Sequence, residues 1–223
     1  MKGTLVVLEG IDGSGKATQA ALLEQALKAE GREVRHISFP DYDSDSSVFV
    51  RMYLSGEFGP SPDDVNPYAA SLFFSLDRFA SFRRDWKPFY EAGGVVVADR
   101  YTTSNMVHQM TKYDREEERL AFLTWLEDME YGKLGLPRPD AVVLLDMPLE
   151  VSEELVRQRA AAGGTMDIHE KDQAYLRRCH EAYHMLSERY GWLCMPCTDG
   201  GTLRPLRAIA EALRAALRET GCP

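Results

Sequence analysis

Seven residues near the amino terminus, Gly10-Ile11-Asp12-Gly13-Ser14-Gly15-Lys16, set three glycines and a lysine at the spacing G-x-x-x-x-G-K. Glycine lets the backbone bend so that successive N–H groups point into one hollow. A helix starting at Lys16 adds the positive end of its dipole, and the lysine adds a full charge. That set can bind the phosphates of a nucleotide. The next residue commonly carries a hydroxyl for Mg²⁺. Here it is Ala17, and Thr18 projects about 100° further round the helix. Gly10 through Thr18 are the expected donor-phosphate set, with the metal's direct protein ligand left open. A second charged set, Asp99-Arg100-Tyr101, follows an apolar run. A guanidinium forks onto phosphate oxygens, so Arg100 is a candidate to bind a phosphate group.

These residues need elements to position them. The run 5–8 reads as a buried strand, and 16–27 as a helix with Leu22, Leu23, Ala26 and Leu27 at helical spacing. Strand, glycine loop and helix are the context a phosphate loop requires. Further strands are expected at 34–39, 95–98, 140–146 and 192–195. Helices are expected at 48–54, 66–91, 103–111, 115–131, 149–161, 169–190 and 203–219. Asn66-Pro67 opens the long helix, in which Phe73 and Phe79 read as core and Pro88 as a point of disturbance. The alternation predicts an α/β fold with a five-stranded, mostly parallel sheet and helices on both faces. Ligands collect at the C-terminal ends of such strands, and Glu9, Phe39, Asp99 and Asp146 fall there. A short lid is expected at about 160–170, and 1–223 reads as a single domain.

The chain has 223 residues, 44% hydrophobic and 27% charged, an ordinary globular composition. Thirty-five acidic against 26 basic residues give a net charge of −9, which argues against nucleic acid or an anionic membrane as bulk partners. There is no signal-peptide architecture, and no apolar run nears the ~20 residues that span a bilayer, so the cytoplasm is expected. Cys179, Cys194, Cys197 and Cys222 are too few for a disulfide framework. Cys194-Met-Pro-Cys197 supplies only half a zinc site. It also ends a strand, whereas a redox pair usually opens a helix. Reduced structural thiols are the expectation.

Over most of its length the sequence resembles the thymidylate kinase family of nucleoside monophosphate kinases. The resembling segments, in family order, are Leu8-Glu-Gly-Ile-Asp-Gly-Ser-Gly-Lys16, Phe39-Pro40, Leu72-Phe-Phe-Ser-Leu-Asp-Arg78, Asp99-Arg100-Tyr101 with Ser104-Asn105, Leu145-Asp146, and Asp167-x-x-Glu170. The resemblance implies Mg²⁺-dependent phosphoryl transfer from ATP to dTMP by a homodimer paired through helices. It implies that Lys16 and the loop hold ATP, and that Asp12 approaches the acceptor's 3′-hydroxyl and a metal-bound water. Asp99 matches the acid near the metal, and Arg100 the acceptor-phosphate and transition-state arginine. Phe74 matches the residue that stacks on the pyrimidine, and Arg78 the one that meets a base carbonyl. Ser104 and Asn105 match positions at the base edge and pocket. An Asn side chain donates and accepts together, as a pyrimidine N3–H and carbonyl require. Tyr101 is placed against the sugar, with Phe39 and Pro40 as a wall.

The sequence departs from that pattern in three places. The family often has an Arg just after Phe-Pro; here Asp41-Tyr42 follow, and Arg51 is the nearest Arg downstream. With Gly13 in the loop, lid arginines are expected, yet 160–170 contains no Arg or Lys. Arg157 and Arg159 stand just before it and Lys171 just after, which makes Arg159 the candidate lid charge. His169 stands where some relatives have Tyr. Two other readings remain. One is a deoxynucleoside kinase, with Glu9 the nearest acid to activate a 5′-hydroxyl. The other is a catalytically weak nucleotide-binding paralogue, favoured by Ala17 and the Arg-free lid.

Overall fold

The computed structural model describes residues 2–222. The apolar runs form five parallel strands: β1 (Thr4–Glu9), β2 (Val34–Ser38), β3 (Val95–Asp99), β4 (Ala141–Asp146) and β5 (Leu193–Pro196). Their order in the sheet is β2-β3-β1-β4-β5. β1 is central, with Leu8 opposite Asp99 and Glu9 opposite Leu144. Strand side chains alternate between faces. Val6 and Leu8 accordingly pack with Ala20, Leu23 and Leu27 on one side, while Leu5 and Val7 meet Phe82, Trp86 and Tyr90 on the other. Leu5 to Leu8 are fully buried, each contributing roughly 1.5–3 kcal/mol of apolar burial. A sheet covered on both faces explains why these strands read as unbroken apolar runs.

The helices are α1 (Lys16–Ala29), α2 (Val48–Leu54), α3 (Pro67–Ser81), α4 (Lys87–Glu91), α5 (Thr102–Met110), α6 (Glu116–Glu127), α7 (Leu149–Ala161), α8 (Ile168–Lys171), α9 (Gln173–Tyr190) and α10 (Leu206–Glu219). A two-residue hairpin, β6 (Thr198–Asp199) with β7 (Thr202–Leu203), lies between β5 and α10. It is too short to leave a sequence signal.

Three of the expected helices are interrupted. The 66–91 helix contains a π-helical turn, Phe82–Trp86, between α3 and α4. Pro88 has no N–H and its ring would collide with the carbonyl four residues back, so the helix widens just before it. The 115–131 helix ends in a second π turn, Asp128–Lys133, which carries Glu130 inward to full burial. The 169–190 helix is broken at Asp172, whose carboxylate accepts from the Tyr175 N–H and starts α9 afresh.

The expected core face of α3 is also corrected. Ala70, Ser71, Ser75, Asp77 and Arg78 are its buried residues, all but one polar, whereas Leu72 and Leu76 are 43% and 48% exposed and Phe73 and Phe79 are half-buried. The polar side turns inward to protein partners: Ser75 and Arg78 bond Glu130, Asp77 accepts from the Asp41 N–H, and Arg78 also reaches the cleft.

Candidate active site

A cleft of about 1010 Å³ opens at the C-terminal rim of the sheet. Its donor end is the glycine loop between β1 and α1. Gly15 caps α1 in the left-handed conformation, at φ 85°, with no side-chain cap. The first N–H groups of the helix are thus left for an anion. Gly13, at φ 77°, lies against α7, where a Cβ would sit 3.1 Å from the Ser152 carbonyl oxygen. The Ser152 hydroxyl in turn donates to the Asp12 carbonyl oxygen at 2.5 Å, so α7 and the loop are tied together. Lys16 Nζ donates to the Gly10 and Ile11 carbonyls, both at 2.9 Å. Burial, then the nearby Arg100 charge, bring its ammonium down to about 8, against the pull of Asp12. Gly10, Ile11 and Ser14 are buried in the loop, and Ala17 and Thr18 are exposed at the cleft.

Arg100 occupies the middle of the cleft. Its backbone takes a positive φ of 67°, the one such non-glycine among the described residues. A side chain rarely adopts that region without cost, and such strain gathers at functional positions. Its guanidinium donates to Asp12 Oδ1 at 2.5 Å, the Tyr183 hydroxyl at 3.2 Å and Ser104 Oγ at 3.3 Å. Burial alone would raise the Asp12 carboxyl, but Arg100 and then Lys16 hold it well below the usual carboxylate range. Asp99, at the end of β3, lines the cleft, and its carboxylate has no hydrogen-bond donor among the described residues. It is therefore free to hold a hydrated cation.

Glu9 serves as a structural hub. It is fully buried and accepts from the Tyr101 N–H and from Thr103, Ser104 and Tyr183 hydroxyls. Ser104 lines the cleft, its hydroxyl donating to Glu9 and accepting from Arg100. Tyr101 is anchored from behind. It is fully buried, donates to the Pro137 carbonyl at 3.1 Å and packs on Phe39, 6.1 Å between centroids. With Phe39 and Pro40 it lines the cleft.

The acceptor end is built on α3 and α5. Phe74 lines the cleft with its ring edge-on to Tyr53 at 6.1 Å. Arg78 is 2% exposed and bound by Glu130 through two nitrogens, one at 2.8 Å from Nε. Its Nη1 has no protein acceptor among the described residues. Asn105 donates to the Ser71 carbonyl and to Glu130 Oε1, both at 3.1 Å. Asn105 lines the cleft, and its amide nitrogen is engaged by these partners while Oδ1 has no donor among the described residues. Arg51 Nη1 donates to the Tyr42 and Ser44 carbonyls and to Ser47 Oγ. Arg51 still lines the cleft, on α2.

The lid follows α7. Arg159 lines the cleft but is ion-paired with Glu170. Asp167 and Glu170 form a reciprocal cap on α8. Burial, with Asp12 and Glu170 nearby, raises the Asp167 carboxyl to about 6. His169 and His108 stack at 5.2 Å between centroids. Burial, then the Lys112 charge, hold His169 down to about 3; burial, then His169 itself, hold His108 well below its ordinary value. Both imidazoles form a neutral wall. Glu130 and Tyr183 organise the site without having been anticipated. Each stands among other polar residues of an ordinary helical pattern, and only packing reveals its role.

A phosphate loop and a strand-end acid–arginine pair facing one cleft in a β2-β3-β1-β4-β5 parallel sheet define a P-loop nucleotide phosphotransferase. The family model described as Thymidylate kinase matches residues 8–199, and the chain belongs to that family. It is 33% identical over 191 residues to thymidylate kinase of Mycobacterium tuberculosis, covering 84% of this chain and 87% of that one. It is 32% identical over 190 residues to a probable thymidylate kinase of Pyrococcus horikoshii, covering 85% of each. The fold matches the solved thymidylate kinase of Candida albicans with a TM-score of 0.71 at 20% identity, over 99% of this chain and 93% of that one.

Proposed function

We propose that the protein transfers the γ-phosphoryl group of ATP to dTMP, giving dTDP and ADP, by in-line displacement without a covalent enzyme intermediate. The carrying observation is the position of Arg100, bridged to the phosphate loop through Asp12 at 2.5 Å while facing the acceptor half of the cleft. Lys16 exchanges its two loop carbonyls for the donor's outer phosphates. Arg100 leaves Asp12 for the acceptor phosphate and the transferring group, where charge develops. Asp12, released, turns to the acceptor's sugar hydroxyl. Phe74 covers one face of the pyrimidine, while Arg78 Nη1 and Asn105 Oδ1 address its edge. Arg51 is the proposed second cation for the acceptor phosphate, and Arg159 the lid's contribution once it parts from Glu170.

Mg²⁺ fits the residues present. Asp99 offers an unpartnered carboxylate, and Mg²⁺ is commonly held by one or two carboxylates, waters and substrate phosphates. When bound it neutralises phosphate charge; Ala17 leaves it without a hydroxyl from the loop. The proposed homodimer forms through α3, whose Tyr68, Leu72 and Leu76 stand 41%, 43% and 48% exposed at four-residue spacing. Free nucleotides as substrates make the cytoplasm the proposed place of work. Among the described residues no helix is long and apolar enough to cross a membrane.

A coupled ADP-release assay with Mg²⁺ and a panel of nucleoside monophosphates, plus thymidine, tests this reading. Turnover with dTMP and little with AMP or CMP is expected. Activity on thymidine instead would favour the deoxynucleoside kinase, against which Glu9's four protein donors already speak. Nucleotide binding with no transfer would leave the weak paralogue.

A further inference from the structure

Away from the cleft, the end of β4 and one side of α9 bring together three residues the reaction does not use. His180 and His184 stand about one turn apart on α9, their ring centroids separated by 4.9 Å. Asp146 closes β4 beside them. One ring nitrogen from each histidine and one Asp146 oxygen all lie within 4.8 Å of one another. His184 Nε2 and Asp146 Oδ1 are 3.3 Å apart. Atoms bound tetrahedrally to Zn²⁺ at about 2.0–2.1 Å are themselves about 3.3 Å apart, so this edge already has the required spacing. His180 Nε2 is buried with no hydrogen-bond partner among the described residues, a condition that calls for an explanation. None of the three residues lines the nucleotide cleft.

We propose that Asp146, His180 and His184 form a binding site for a transition-metal dication of the Zn²⁺ type, distinct from the Mg²⁺ of the reaction. Two imidazoles with one carboxylate suit Zn²⁺, whereas Mg²⁺ takes oxygen ligands. Histidines at i and i+4 present both rings on one helix face, as in zinc-binding helices. Three protein ligands leave a fourth position for water. The ion ties α9 to the sheet. Tyr183, between the two histidines in sequence, contacts Glu9 and Arg100, so the tie holds the helix that braces the cleft.

The test is calorimetric titration of the chelator-treated full chain with ZnCl₂, without nucleotide, alongside thermal unfolding. One saturable equivalent is expected, with Tm raised by about 5–10 °C at a hundredfold excess over Kd and no such effect from MgCl₂. His180→Gln and His184→Gln should each weaken binding at least about tenfold. Far-UV circular dichroism and turnover in Mg²⁺ check that both variants fold. Cobalt(II) added to the wild type should show the intense visible bands of a four-coordinate ion, a reading that needs no variant. Absence of saturable zinc binding, binding undiminished in both variants, or a weak octahedral cobalt spectrum overturns the proposal.

Discussion

Beside its ion pair with Asp12, Arg100 has two neutral hydroxyl partners, Ser104 and Tyr183, where an incoming phosphate would offer stronger ones. Charge-assisted bonds to phosphate outweigh those to neutral hydroxyls, so the Ser104 and Tyr183 contacts hold the side chain ready without trapping it. Arg100→Ala should lower kcat on the order of 10³-fold or more, measured at saturating ATP and dTMP, with the fold retained. Glu130 acts differently, by neutralising the buried Arg78 guanidinium. Glu130→Gln leaves that charge without its partner and should cost about 3–5 kcal/mol of stability in urea unfolding. Ala17→Ser returns a hydroxyl to the metal side of the loop. The Mg²⁺ concentration for half-maximal turnover should fall. The phosphate loop and Asp99-Arg100 were legible because their chemistry lies in local spacing. Glu130, Tyr183 and the occupied amide of Asn105 were not, because each depends on contacts between residues distant in sequence: Asn105 with Ser71, Glu130 with Arg78, Tyr183 with Glu9.

At the scale of elements, α3 shows how a hydrophobic pattern misleads. Its apolar residues repeat at helical spacing, and such a stripe ordinarily marks core. Here the inward face is polar because Ser75, Asp77 and Arg78 bond Glu130, Ser46 and the Asp41 N–H beneath it, with Arg78 reaching the cleft. The strands were easier to read, since a sheet covered on both faces requires apolar runs. The breaks at Pro88 and Asp172 follow local chemistry, while the π turn around Glu130 carries no comparable signal. Between α5 and α8, His108 and His169 remain neutral in the fold, whereas an unfolded chain protonates each near pH 6.5. The unfolded state therefore binds more protons from about pH 6.5 down to about 3, the value for folded His169. Stability is full above that window and is lost as pH falls through it. Tm should decline from pH 7 to pH 5, and His169→Gln should flatten the decline.

For the whole molecule, strand order decides where reactants meet. With β1 between β3 and β4, the phosphate loop after β1 stands next to the Asp99-Arg100 end of β3. Donor and acceptor sites thus arise from adjacent strands far apart in sequence. Leu72→Glu with Leu76→Glu should convert a dimer to monomers in analytical ultracentrifugation. α3 would then serve two neighbours: bound pyrimidine on its Phe74 and Arg78 side, a second protomer on its Leu72 and Leu76 side. A helix squeezed between two ligands cannot answer one without informing the other, and linkage makes the influence mutual. Saturating dTMP should therefore slow subunit exchange between differently labelled copies, and crowding the protomers together should sharpen affinity for dTMP by the same factor.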